Sequence, residues 1–276
     1  MDMIPRVSII LPTYNRAALL GRAIRSVIDQ SYAQWELIVI DDASTDETPK
    51  VLKEWQEKDA RIRVITNAEN LYPDISKTLN KGLEAAQGEY VARLDDDDYW
   101  CGKDKLRKQV EFLDTHSAYA VVGGGMIGID AEGRELFRYL KREHDGDIRR
   151  YALFANPFSH TTVMFRKKIA DAVGGYGNWS YAEDWDLWLK MGTRGKFHNI
   201  QEYVTAYTIA GQNKSLLHQG KQIKATLRIL KAHRKEYSFF VFAYALNLCA
   251  LVYSYLPFSL RKKLHAPLSH LKRGVF

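Results

Sequence analysis

"EYVARLDDDDYW" occupies residues 89–100. A short apolar run leads into four consecutive aspartates, Asp95 to Asp98, and the acids stop at an aromatic pair. Like charges packed that closely repel, so the chain must bring something that neutralises them. An apolar run closed by polar residues reads as a buried strand with a chemically active end. The same pattern recurs upstream in "VSIILP" (7–12), "ELIVIDD" (36–42) and "RIRVIT" (61–66). Between these runs Leu19, Leu20, Ala23, Ile24, Val27 and Ile28 recur at helical spacing, as do Leu79, Leu83 and Ala86. Strand–helix alternation over about the first 95 residues predicts an α/β fold, a mostly parallel central sheet with helices on both faces. Ligands bind such sheets at the carboxyl ends of the strands. Here those ends carry "PTYN", "DDAS" and "DDDD", all on one edge.

After residue 100 the pattern changes. A helix over about 103–115 precedes the run "YAVVGGGMIGID" (119–130), then come a polar loop, a strand in "TTVMFRK" (161–167) and a helix in "AEDWDLWLKMG" (182–192). The 216–236 stretch reads as a basic helix, and 239–256 is almost wholly apolar. There is no GxxxxGK[ST], which removes a P-loop site; Gly123, Gly125 and Gly128 have GxGxxG spacing but stand inside an apolar run rather than between a strand and a helix, so a dinucleotide site is not supported. The glycines at 123–125 read instead as a bulge or a close backbone approach.

Length and composition, 276 residues with 46% hydrophobic, suffice for one sizeable core plus an appendage. The net charge of +7 is uneven: residues 211–276 hold 12 Lys/Arg and the single acid Glu236, leaving 28 basic against 32 acidic residues in the body. A nucleic-acid binder would carry its basic face on the folded domain. A basic tail instead suits an anionic lipid surface. Cys101 and Cys249 have no metal-ligand spacing, which fits a reducing compartment. The N-terminus lacks a basic segment followed by a long apolar one, so the expectation is a cytoplasmic protein.

Four adjacent carboxylates at a strand end call for a cation, and oxygen-only ligands suit Mg²⁺ or Mn²⁺ rather than zinc. In extended backbone Asp95 and Asp97 share a face while Asp96 points elsewhere. Such ions usually complete their shell with substrate phosphates, so the cluster implies a phosphorylated substrate.

"VSIILPTYNR", "DDASTDET", "ARLDDDD" and "AEDWDLWL" resemble, in order and spacing, family 2 glycosyltransferases of the GT-A fold, a Rossmann-like architecture. The resemblance spans roughly 5–215 and implies a catalytic domain over 1–215, with a nucleotide-binding half (1–100), an acceptor-binding half (101–215) and a helical, membrane-associating tail over 216–276. It further implies a UDP-sugar donor. Pro12, Thr13, Tyr14 and Asn15 match the first nucleotide-contacting loop, with Tyr14 placed to stack on the base. Asp42 matches the acid that accepts from uracil, favouring UDP over GDP, while Asp41 reads as a turn or capping residue. Lys77 and Asn80 stand where the family places a nucleotide-facing basic residue; a solvated lysine is the other reading. Arg93 is expected to be buried and paired, in a structural or diphosphate-side role.

Asp95 and Asp97 match the acids of the DxD motif, Asp97 for the metal and Asp95 for metal, ribose or sugar, with Asp96 beside them on the nucleotide sugar. Downstream, the resemblance makes Asp184 the general base of an inverting transfer, assisted by Glu183; a capping acid at a helix N-terminus is the plainer reading. His160 and Trp179 are candidates on the acceptor side, with structural roles as the alternative. One departure stands out: where many relatives carry Arg and His in a "YRxH" stretch, this chain has Thr208 and Ala210, leaving Lys214, Ser215 or His218 as replacements.

As a helix, 239–256 spans about 27 Å at 1.5 Å per residue, marginal for a bilayer core of about 30 Å. A helix packed on the domain, a single span and shallow insertion all remain open. The basic flanks "KQIKATLRILKAHRK" and "RKKLHAPLSHLKR" favour shallow anchoring to the inner face of the cell membrane. The expectation is therefore a metal-dependent transferase of a hexosyl or N-acetylhexosaminyl group from UDP to a saccharide, expected from the tail chemistry to be lipid-linked, in surface polysaccharide or lipopolysaccharide synthesis. A polyprenyl-phosphate sugar transferase, a nucleotidyltransferase and a non-catalytic sugar-nucleotide or lipid-binding scaffold are the competing readings.

Overall fold

The computed structural model describes residues 4–209 and 219–255. Among them nine strands form one sheet in the order β3-β2-β1-β4-β8-β6-β9-β5, with β7 paired to β6. Four parallel strands make the first half: β1 (Val7–Thr13), β2 (Trp35–Asp41), β3 (Ile62–Thr66) and β4 (Tyr90–Arg93). They alternate with helices α1 (Ala17–Ile28), α2 (Thr48–Lys58) and α3 (Ile75–Ala85). Successive side chains point to opposite faces of a strand, and β1 shows the consequence. Val7, Ile9 and Leu11 join Leu20, Ala23 and Leu52 on one side, while Ile10 joins Leu79 and Leu83 on the other. The expected sheet with helices on both faces is present.

The chain runs β1-β2-β3 in one direction and then returns to place β4 on the far side of β1. This reversal opens a crevice beyond the carboxyl ends of β1 and β4, where open α/β sheets bind ligands. The second half is mixed. It contains β5 (Tyr99–Trp100), α4 (Lys105–Thr115), β6 (Tyr119–Ile129), β7 (Glu135–Tyr139), α5 (Asp145–Tyr151), β8 (Met164–Arg166), α6 (Lys167–Ala172), α7 (Glu183–Gly192) and β9 (Lys196–Thr208). β8 joins the halves by pairing antiparallel with β4 and β6.

The glycine run in β6 is a bulge, as expected: its register with β9 shifts between Gly124 and Gly125 and again before Met126. A Cβ at Gly123 would strike Phe158, and one at Gly124 would strike Val204. Two tail helices, α8 (Gln219–Ala232) and α9 (Phe240–Ser254), complete the described chain. Ile229, Leu230, Tyr237 and Ala243 enter the same apolar cluster as Leu187, Leu189 and Met191 of α7. No described helix is long and apolar enough to cross a membrane. Ala210, Lys214, Ser215, His218 and the second basic flank lie outside the described residues. Cys101 and Cys249 are free and exposed.

Candidate active site

β4 ends at Arg93, and the acids do not continue in extended backbone. Residues 95–98 make a turn closed by the Asp98 N–H donating to the Asp95 carbonyl at 3.2 Å. The strand-alternation argument for Asp95 and Asp97 therefore fails; the turn, not a pleat, gathers the carboxylates. Repulsion among them is visible in their proton affinities. Burial and the Asp97 charge push Asp96 up to about 7. Burial and the Asp95 charge raise Asp97. Asp98, fully buried, is raised well above the carboxylate range by burial and then by Asp95 and Asp97.

Three arginines offset part of this charge. Arg93, 1% exposed, donates to the Ile10 and Leu94 carbonyls at 2.7 and 2.8 Å and pairs with Asp95. Arg22 donates to the Asp97 carbonyl at 2.8 Å and stacks over Tyr99. Arg16 Nε lies 3.7 Å from Asp96 Oδ1. The far side of the turn is tied to β9: Thr208 N–H donates to Asp98 Oδ1 at 2.8 Å and its hydroxyl to the Asp97 carbonyl.

The turn keeps acceptors to spare. Asp98 Oδ2 is buried with no hydrogen-bond partner. Such an orphaned oxygen among carboxylates of raised proton affinity fits a hard divalent cation, which would supply the missing charge. Asp97 and Asp95 could hold it, since among the described residues no ion pair is to the Asp97 carboxylate and Asp95 has Arg93 alone.

On the β1 side of the crevice, Tyr14 is 43% exposed, its ring open to a planar ligand. Asn15 adopts a left-handed φ of 52° and accepts the Thr45 N–H at 2.8 Å, stapling the β1 and β2 loops together. Pro12 and Thr13 close β1, and the buried Thr13 hydroxyl has no partner. Asp42 accepts from Asn67 Nδ2 at 2.6 Å and from the Leu71 N–H at 3.1 Å, anchoring the loop after β3. Lys77 pairs with Asp74 at 3.1 Å on an exposed surface. Asn80 is a structural clamp, exchanging two hydrogen bonds with the Tyr176 backbone at 2.9 Å.

α7 begins at Ala182, whose φ of 58° is left-handed, a turn that delivers Glu183 and Asp184 into the cleft. Burial and the Asp184 charge push Glu183 up to about 8. Asp184 is raised by burial, while Asn156 Nδ2 at 2.7 Å and the Trp185 N–H at 2.8 Å hold its two oxygens. Lys141 donates to the Asn156 carbonyl at 2.8 Å, and burial lowers it to about 8 against the pull of Asp184. The Asp95 charge raises both Glu183 and Asp184, so the acid turn lies within electrostatic reach of the α7 pair.

His160 is placed behind this cleft. Its Nε2 accepts from Arg93 Nε at 3.2 Å and lies 3.0 Å from the Tyr176 hydroxyl, and burial with the Arg93 charge keeps the ring neutral. It braces Arg93. The Trp179 carbonyl accepts from Ser76 at 2.8 Å, and the residue packs against the core. Sequence reasoning overlooked Arg16, Arg22, Asn156, Lys141 and Tyr176. Arg22 left a signal, a charge amid the apolar positions of α1; Arg16 ends the motif VSIILPTYNR, and Asn156 opens the 156–167 segment that resembles the family's acceptor side, while Lys141 and Tyr176 become neighbours through tertiary approach alone.

An acid turn at the reversal point of the sheet, near a carboxylate pair of raised proton affinity, sits on a GT-A-like fold. The Glycosyl transferase family 2 profile matches residues 8–174, and the chain belongs to that family. It is 37% identical over 207 residues to EpsE of Bacillus subtilis, a protein named as a glycosyltransferase, covering 73% of this chain and 72% of that one. It is 30% identical to the GalNAc(5)-diNAcBac-PP-undecaprenol beta-1,3-glucosyltransferase of Campylobacter jejuni, covering 79% and 69%. Two solved structures share the fold. The mannosyltransferase PcManGT of Pyrobaculum calidifontis, in complex with GDP-Man and Mn²⁺, superposes with a TM-score of 0.67 at 20% identity, over 97% of this chain and 80% of that one. S. aureus TarS 1–349 with UDP-GlcNAc gives 0.66 at 21% identity, over 82% of this chain and 65% of that one.

Proposed function

We propose that this protein is an inverting, divalent-cation-dependent glycosyltransferase that moves a sugar from a UDP-sugar to a hydroxyl of a lipid-linked saccharide during surface polysaccharide synthesis. One observation carries the reading: two carboxylate centres, each of raised proton affinity, lie within electrostatic reach of one another, with Arg93 acting on both. The first suits a bound diphosphate and its ion; the second suits removal of a proton.

Tyr14 receives the base on its open ring, and Asp42 Oδ2, which accepts only from the Leu71 N–H, retains capacity for a uracil N–H. Asp97 and Asp95 would hold Mn²⁺ or Mg²⁺, which would supply Lewis-acid stabilisation to the departing diphosphate. Asp184 takes the acceptor hydroxyl proton as that oxygen bonds to the anomeric carbon, and the carbon–oxygen bond to UDP breaks with its electron pair leaving on UDP. A carboxylate whose burial lifts its pKa towards working pH is a competent base. Asn156 and the Trp185 N–H fix its direction. The UDP-GlcNAc complex of TarS and the undecaprenol-linked acceptor in the name of the Campylobacter enzyme support the donor and acceptor classes. Relatives named for teichuronic acid and amylovoran biosynthesis support the polysaccharide setting.

The test is a UDP-release screen over UDP-Glc, UDP-Gal, UDP-GlcNAc and UDP-GalNAc with Mn²⁺, with and without membrane extract. One donor should turn over only with extract, and Asp184→Asn should lower that rate by roughly 10²–10⁴-fold while UDP-sugar binding persists. Turnover of none of the four UDP-sugars, with GDP-mannose turned over in a parallel GDP-release assay, would sink the UDP assignment. Full activity in Asp184→Asn would point to a phosphate acceptor, which needs no base.

A further inference from the structure

Outside the cleft, the strap that follows β7 meets β9 through three side chains able to bind metal. Glu143, His144 and His198 each offer one ligand atom, and these atoms all lie within 4.8 Å of one another. We propose that these three residues form a second cation site, one that takes a borderline transition ion of the Zn²⁺ class rather than the hard cation of the acid turn.

The main chain already sets the spacing. His144 and His198 form an antiparallel bridge, and the Asn199 N–H donates to the Glu143 carbonyl at 3.0 Å. Ligand atoms on one ion at bond lengths of about 2.0–2.2 Å stand somewhat closer together than the 4.8 Å that bounds them here, so an ion would draw Glu143 and His144 toward His198. The His198 ring is held in place, stacked on Phe112 at 4.3 Å and edge-on to Tyr119 at 6.1 Å. Phe112 carries His116 on a second stacking contact at 4.4 Å, so the ligand ring belongs to a braced aromatic group. Glu143 Oε2 stands 3.9 Å from His144 Nε2, a loose contact that an intervening ion would convert into two bonds.

The donor set decides the metal. Two imidazoles and one carboxylate, with a fourth position open to water, are the ligands of a Zn²⁺ site; the oxygen-only acid turn suits Mg²⁺ or Mn²⁺. An ion here would pin residues 143–144 to β9. Lys141, two residues earlier, holds the Asn156 carbonyl, and Asn156 holds Asp184. The clip thus acts on the support of the proposed base without touching it.

Co²⁺, a spectroscopic stand-in for Zn²⁺, tests this in the chelator-stripped full chain with Mg²⁺ in large excess to occupy the acid turn. The wild-type protein should show the visible bands of a low-coordinate cobalt site at one equivalent, bleached by added Zn²⁺. His144→Ala and His198→Ala should lose the bands, and Asp97→Asn should keep them. His144 is largely exposed on its side chain (72%), so its removal leaves folding intact, as a circular dichroism melt would verify. Absence of the bands in wild type, equal bands in the histidine variants, or their loss in Asp97→Asn would each overturn the proposal. None of these outcomes depends on donor or acceptor, so the result stands apart from the transferase reading.

Discussion

Arg93 carries several duties at once. It is sealed inside the fold, its guanidinium spans two backbone carbonyls and Asp95, and His160 backs it from behind. With Arg16 and Arg22 it still leaves the acid turn short of positive charge, as the raised Asp96 and Asp98 show. That shortage has a sign that can be checked. Unfolded carboxyls release their protons near pH 4, whereas Asp96 and Glu183 hold theirs to about 7 and about 8. Between those limits the folded chain binds more protons than the unfolded one, so stability falls as pH rises. The melting temperature of metal-free protein should decline from about pH 5 to about pH 8, and Mn²⁺ should restore more of it at the upper end. A flat profile would show that the arginines suffice. The aspartates and the Glu183–Asp184 pair were legible because their adjacency is written in the chain. The contacts of Asn156 and Lys141 were not, since 28 residues separate Asn156 from the carboxylate it orients.

Among elements, α7 joins the site to the tail. Asp186, two residues beyond the proposed base, is 4% exposed. His233, directly after α8, meets its Oδ1 at 3.0 Å and Lys190 its Oδ2 at 3.0 Å. Burial opposes ionisation, yet these partners hold the carboxyl below its ordinary range. Tyr237 adds a hydrogen bond to the Leu189 carbonyl at 2.8 Å. His233→Ala should cost about 1–3 kcal/mol by leaving a buried acceptor short of a donor, and Leu230→Ala about 2–5 kcal/mol by emptying core volume. Urea denaturation measures both, and wild-type midpoints would mean that α8 merely rests on the domain. The parallel strands and their helices could be read in advance because their apolar periods are strong. β5 is two residues long, and β7 is exposed along its whole length; strand pairing, which no local pattern encodes, makes them strands.

Over the whole molecule, the tail presents two unlike surfaces. Lys221, Lys224, Arg228, Lys231, Arg234 and Lys235 all point to solvent on and after α8. α9 turns Ala243 inward and leaves Phe242 at 69%, Val241 at 72% and Val252 at 59% exposure. An apolar ridge beside cations is the chemistry of interfacial attachment. Vesicles containing phosphatidylglycerol should sediment the protein in a salt-sensitive manner, and phosphatidylcholine vesicles should not. Phe242→Glu together with Val252→Glu should release it, and undiminished binding by that double variant would place attachment elsewhere.

The two thiols lie at instructive positions. Cys101 sits three residues past Asp98, and Cys249 lies on the outward side of α9. Although Cys101 reaches the surface, its thiol donates to the Tyr203 carbonyl at 3.6 Å and partial desolvation pushes it up, which lowers its thiolate fraction and slows its alkylation, so Cys249 can be labelled first. A nitroxide at Cys101 would relax faster when paramagnetic Mn²⁺ arrives beside it, and one at Cys249 would sense dissolved oxygen if immersed in acyl chains. The native sequence thus supports magnetic-resonance readouts of ion occupancy and immersion depth without any engineered residue.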